Sequence, residues 1–271
     1  MKKLLLILFC LPFIGFGQQT YVPDDAFEHY LENNGMGNGI ANDDYVTTAN
    51  INTITYLELY ASSWINDLTG IEDFTALTYL ECSSHLITSL DVSNNLALEE
   101  LYCNENQLTS LDVSGCTALS VLYCHYNQLT SLNLSNNIAL NFLDVRVNQL
   151  NSLDVSNNIA LNFLNVKSNQ LNTLDVSNNI NLIELSCYNN QLANLDLRNG
   201  NNTNFTYFYC ASNPNLSCIN VDDAAWSAAN WTVANGDIDP QHYFSNNCNP
   251  SAIEEHTTNK ELLKVTDLLG R

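Results

Sequence analysis

Basic residues are nearly missing from this chain. It holds 8 Lys and Arg against 29 Asp and Glu in 271 residues, a formal net charge of −21. Two of the eight, Lys2 and Lys3, lie in a leader, which leaves 6 basic residues and a net charge of −23 for the remainder. Such a chain repels phosphate backbones, so nucleic acid is excluded as a partner. Charge of either sign is scarce, at 14%, and Asn, Ser and Thr carry most of the polarity. No stretch after the leader is apolar enough to span a bilayer. H-E-x-x-H, G-x-S-x-G and phosphate-cradling loops are all absent. Cys124 and His125 are adjacent, so on a strand they face opposite sides and form no nucleophile–base pair. Glu81 and Glu100 could serve glycoside cleavage by type, but an open face does not exclude water. The expectation is a protein that is not an enzyme.

The leader, MKKLLLILFCLPFIGFG, places two lysines before an apolar run from Leu4 to Ile14, with Gly15 and Gly17 ahead of a cut before Gln18. It predicts a signal peptide over 1–17 and a secreted protein, extracellular or at the cell surface. Phe9 before Cys10 argues against a lipoprotein.

What the chain has in abundance is a period. Leu80, Leu101, Leu122, Leu143, Leu164 and Leu185 recur every 21 residues. Around each stands L-x-x-L-x-L/C-x-x-N-x-L, as in LEELYCNENQLTSLDV from Leu98. That is the signature of a leucine-rich repeat. It predicts a leucine-rich repeat solenoid of the α/β class, mostly β: short parallel strands stacked in a curve, a helical cap at the N-terminal end and a disulfide-linked cap at the other. The expected divisions are an N-terminal cap over 18–50, repeats over 51–217, a C-terminal cap over 218–248, a linker over 249–259 and a distinct segment over 260–271. In the N-terminal cap, Pro23 is expected in the first turn of a short helix with Phe27, Tyr30 and Leu31 on one face. In the C-terminal cap, Trp226, Trp231, Tyr243 and Phe244 are expected to form an apolar lid.

Within a unit the two-residue period of a strand sends Leu101 and Cys103 inward and Glu100, Tyr102 and Asn104 outward. Asn106, Asn127, Asn148, Asn169 and Asn190 form a ladder whose amides can bond the backbone of the turn. His85 falls on that ladder and is expected to fill a turn. Cys82, Cys103, Cys124, Cys187 and Cys210 share one column with Val145 and Val166. A column that accepts Val is a small apolar slot, which predicts free, packed thiols; pairing between stacked neighbours is the alternative. Cys218 and Cys248 stand outside the column and are the predicted disulfide.

The outward positions make a binding surface if the strands line the concave side. Tyr102, Tyr123, Phe142 and Phe163 cluster at its middle, with Tyr126 and Tyr188 nearby. Exposed rings without a structural task mark binding surfaces. Arg146 and Lys167 sit beside them as an isolated positive spot. Together with His125 and Asp144, these are the candidate ligand-binding residues. Cross-strand rings that cover their neighbours, with cations offsetting nearby acids, are the plainer alternative. No catalytic residue, cofactor or metal site is expected. Calcium is the one weak candidate, on the aspartate ladder Asp91, Asp112, Asp154, Asp175 and Asp196 (Asn133 in the gap) or on Asn42, Asp43 and Asp44.

Two resemblances follow from these residues. The last twelve, KELLKVTDLLGR, resemble the opening of the type A C-terminal sorting domain of the type IX secretion system, through Leu262, Leu263, Val265, Thr266, Asp267, Leu268, Gly270 and Arg271. Only the start of that domain is matched, so the resemblance implies a truncated sorting domain, and a periplasmic location if the truncation is real. Residues 20–248 resemble secreted bacterial leucine-rich repeat proteins with an internalin-like first repeat at Trp64–Phe74. That implies a binding module for protein–protein interaction or adhesion, with a protein or glycan partner at the cell envelope or outside the cell; a passive spacer is the remaining alternative.

Overall fold

The computed structural model of the chain describes residues 17–59 and 64–248. Residues 1–16 of the predicted leader, the predicted linker over 249–259 and the segment 260–271 lie outside the described residues.

The 21-residue period becomes one parallel strand per turn. Eight strands form a single sheet in chain order: Tyr56–Glu58, Tyr79–Glu81, Glu100–Tyr102, Val121–Tyr123, Phe142–Asp144, Phe163–Asn165, Glu184–Ser186 and Tyr207–Tyr209. Register is strict, with Leu80 opposite Leu101, Leu101 opposite Leu122, and so on to Leu185 opposite Phe208. The leucine column and the cysteine column are buried beneath the sheet. Each buried leucine contributes about 1.5–3 kcal/mol against leaving it in water, and the regular period repeats that gain in every turn. The chain returns along shorter sheets, Ser89–Asp91 with Ser110–Asp112, and Thr173–Asp175, Asn194–Asp196, Cys218–Asn220 and Tyr243–Ser245.

Each turn needs its backbone groups satisfied, and asparagine does this twice per repeat. Asn127 Nδ2 donates to the carbonyls of Cys103 (3.0 Å) and Cys124 (3.1 Å), and its Oδ1 accepts from the Leu108 amide (2.9 Å). Asn106, Asn148, Asn169 and Asn190 repeat this pattern. His85 takes the same place at the first rung, bonded to the Leu59 carbonyl and the Ile65 amide. A second ladder, not anticipated above, stands on the return side. Asn95, Asn137, Asn158 and Asn179 are fully buried, and Asn137 Nδ2 donates to the Val113 and Cys116 carbonyls. Cys116 fills the vacant rung, its Sγ 3.2 Å from the Val92 carbonyl. That explains the one cysteine that fits neither the column nor the disulfide.

The ends are closed as the repeats require. Helix Asp25–Asn33 is capped by Asp24, whose side chain accepts from the Ala26 and Phe27 amides. Pro23 therefore precedes the helix rather than entering its first turn. Phe27 and Leu31 are fully buried, Phe27 against Phe74. At the other end, Cys218 and Cys248 form a disulfide, and Trp231 packs on Phe205, Phe208 and Phe244. Tyr243 is exposed and lies outside this lid, because its neighbour Phe244 takes the inward position of the strand. The remaining six described cysteines are free and buried. The side chains of neighbours such as Cys82 and Cys103 point in parallel, an orientation that disfavours disulfide geometry.

Candidate functional site

The strands present three outward columns on the sheet. The first reads Tyr56, Tyr79, Glu100, Val121, Phe142, Phe163, Glu184, Tyr207, and the second Glu58, Glu81, Tyr102, Tyr123, Asp144, Asn165, Ser186, Tyr209. The third holds His125, Arg146, Lys167 and Tyr188.

The rings form one continuous ribbon that changes column twice. Tyr56 stacks on Tyr79 (centroids 4.3 Å apart) and Tyr79 contacts Tyr102 at 5.4 Å. Tyr102 stacks on Tyr123 at 5.0 Å, Tyr123 on Phe142 at 4.6 Å, and Phe142 on Phe163 at 4.0 Å. Stacked rings show solvent their edges, while their faces are spent on each other. The faces open to a ligand are therefore those at the breaks in the ribbon. One break lies at Glu184, between Phe163 and Tyr207. There the surface dips into a depression of about 500 Å³, lined among others by Tyr126, Arg146, Phe163, Lys167, Glu184 and Tyr207. Tyr209 also lines it and stacks on Tyr188 at 4.7 Å.

The candidate residues divide by burial. Tyr102, Tyr123, Phe142, Phe163, Arg146, Lys167 and Tyr188 are half-buried, and Tyr126 is exposed. His125 and Asp144 are buried beneath them. Asp144 is held by Arg146 Nη1 at 2.6 Å and by the Arg146 amide at 3.2 Å, with His125 Nδ1 at 3.9 Å. Burial raises the Asp144 carboxyl above its ordinary range, against the pull of Arg146. Burial likewise depresses His125, against the pull of Asp144. Arg146 is thus committed to a neighbour and also lies over the Tyr126 ring, 5.8 Å from its centroid. Lys167 rests over Tyr188 at 5.3 Å. The positive spot is Lys167 alone in net charge. Glu184, Tyr207 and Tyr209 belong to the same surface, although ligand candidates chosen from the central repeats stop short of them. Their signal is the outward offset within IELSC for Glu184 and within TYFYC for Tyr207 and Tyr209, shared with every other strand.

The aspartate ladder has a local task. Asp91, Asp112, Asp154 and Asp175 each accept from the amide two residues on, at 2.8–2.9 Å. Asn133 does the same for Ser135, so the neutral rung works as well as the charged ones. In the N-terminal cap, Asp25, Glu28 and Asp44 bring carboxylate oxygens within 4.8 Å of one another. Glu28 there is buried and accepts from the Asp43 and Asp44 amides.

No protein-family model and no curated protein matches the chain. Solved structures do. The functional domain of InlJ from Listeria monocytogenes, described as including a cysteine ladder, is 30% identical over 77% of this chain and 58% of that one, with a TM-score of 0.43. A leucine-rich repeat protein of Leptospira interrogans is 21% identical over 57% of this chain and 46% of that one, with a TM-score of 0.49. An internalin (inlF) of Listeria monocytogenes is 21% identical over 76% of this chain and 73% of that one, with a TM-score of 0.46. The chain spans about half the length of the first two. Among the described residues, no helix is long and apolar enough to cross a membrane.

Proposed function

We propose that the chain is a secreted or cell-surface binding module without catalytic activity, and that it takes another protein on the face of its eight-stranded sheet, the concave side of the solenoid, for interaction or adhesion. The observation that carries this reading is the half-buried aromatic ribbon running into an open depression at Phe163. Aromatic anchors beside a pocket and rimmed by polar groups are what protein interfaces concentrate their energy on. The leader residues and the resemblance of 260–271 to a sorting domain support export.

A glycan is the second reading, favoured by the free faces of Phe163 and Tyr207 beside Asn165 and Ser186. Salt separates the two: sugar stacking survives it, whereas a charged protein interface weakens. The test is a panel of extracellular proteins and a glycan array, probed with the chain, with Phe142→Ala/Phe163→Ala and with Thr130→Ala on the return side. Ligands lost only by the ring variant, at a temperature where circular dichroism shows it folded, support the reading. Ligands kept by the ring variant and lost by Thr130→Ala contradict it, and a chain that binds nothing is a spacer.

A further inference from the structure

The ring ribbon is interrupted by one rung, and that rung is an acid. Phe142 covers one face of Phe163, lying 4° from parallel at 4.0 Å. The other face borders the depression, where Glu184 follows on the next strand and Tyr207 on the one after. Phe163 and Tyr207 are two strand spacings apart, roughly 10 Å. A flat group in contact with a ring on both sides needs about 7 Å, so the space between the rings, above the Glu184 side chain that enters it from the middle strand, is one layer wide. Tyr207 is half exposed, and its ring contacts Tyr209 at 6.5 Å.

The charges on this face say what that layer is. Among the described residues, the Glu184 carboxylate has no hydrogen bond and no cation partner. Glu58, Glu81 and Glu100 face the same side, and their carboxylates bond only neutral donors, the Tyr56 hydroxyl, the Ser83 amide and the Tyr102 hydroxyl. Arg146 is spent on Asp144. Lys167 lines the same depression as Glu184, but it makes no ion pair with it and is held over Tyr188. The face is therefore net acidic on a chain of net charge −21. An anionic ligand in the gap would meet Glu184 directly.

We infer that the gap receives a basic side chain of a partner protein, a guanidinium or ammonium sandwiched between Phe163 and Tyr207 and paired with Glu184. Arginine fits best, because its planar cation stacks on rings and meets a carboxylate with two parallel bonds. This rests on the reading of the sheet face as a protein-binding surface. The net acidity of the face steers such a partner toward it.

The test is selection of a random linear-peptide library on the chain, followed by fluorescence anisotropy of the enriched peptides. Enriched sequences are expected to carry arginine or lysine. Replacing that arginine by citrulline, its neutral isostere, is expected to weaken binding about tenfold or more, as are Glu184→Gln and Tyr207→Ala; Thr130→Ala changes nothing. Binders without a basic residue that are lost on Phe163→Ala overturn the assignment of the gap but leave the sheet-face reading standing. Binders indifferent to Phe163→Ala, or no enrichment over a blank surface, overturn both.

Discussion

Arg146 Nη1 lies 2.6 Å from Asp144 Oδ2, two residues back on the same strand and buried beneath the sheet face. His125 approaches the same oxygen, its Nδ1 3.9 Å away and without a hydrogen bond. The surface rings Tyr123 and Tyr126 rest edge-on against His125, at 5.9 and 5.5 Å. Tyr123 and Tyr126 are therefore packed around the buried Asp144 carboxylate, its half-buried Arg146 partner and His125.

Stability should respond to pH in two stages. Burial holds His125 and His242 below the ordinary 6.5. Their contribution is complete above that value and is lost as pH falls through their lower folded values, because the unfolded chain takes up the protons more readily. Asp112 and Asp154 are held below 3.8 by Ser114 and Ser156, and Asp196 by Arg198, so their contribution is lost only below that value. Asp144 runs the other way. Burial raises it, so the folded chain binds its proton first and regains stability as pH falls toward 3.8. Melting followed by circular dichroism is expected to decline as pH falls below 6.5 and again below 3.8, with a smaller first decline in His125→Asn. A flat profile from neutral to pH 5 would contradict this.

The turn asparagines carry more stability than their polarity suggests. Asn127→Ala strands two carbonyls and one amide in the interior, and urea unfolding should show a loss of roughly 2–4 kcal/mol. Asn136 makes one exposed bond to the Ser114 carbonyl, and its alanine variant should cost under about 1 kcal/mol. Equal losses would remove the ladder from the account.

Each turn also contains a left-handed residue just before the ladder residue, from Ser84 before His85 to Ser212 before Asn213. In one repeat that residue is Val147, with φ at 54°, a conformation that β-branched side chains resist. Val147→Asn should raise the unfolding free energy by about 0.5–1 kcal/mol, and Asn189→Val should lower it by a similar amount. Matching signs in the two variants would show that the turn is not strained.

The aspartates of the ladder accept from neighbouring amides, and we propose that they need no calcium. A chelator should leave the melting temperature unchanged. A fall on chelation, restored by added calcium, would return the ladder or the Asp25, Glu28 and Asp44 group to consideration.

Much of this was legible in the residues because a fixed period repeats the same physical demand in every turn. The leucine teeth, the cysteine slot, the first asparagine ladder and the Cys218–Cys248 pair all follow from identity at a fixed offset or from standing outside it. The second asparagine ladder was hidden because S-N-N reads equally as a polar loop, and only burial separates Asn137 from Asn136. The pairing of Arg146 with Asp144 was hidden because columns give the side of the sheet a residue faces, not how deeply a long cation folds over its neighbour. The ring ribbon crosses columns at Tyr102 and at Phe142, which no single offset reveals.

The central claim is that the sheet face around Phe163 is where a partner binds. Its main rival is the row of exposed Ile138, Ile159 and Ile180 along the return side. Hydroxyl-radical footprinting of the chain with a bound protein decides between them. Protection of Tyr126, Phe163, Tyr207 and Tyr209, with the isoleucines still reactive, is the result expected. Protection of the isoleucines with those rings unchanged would contradict the account.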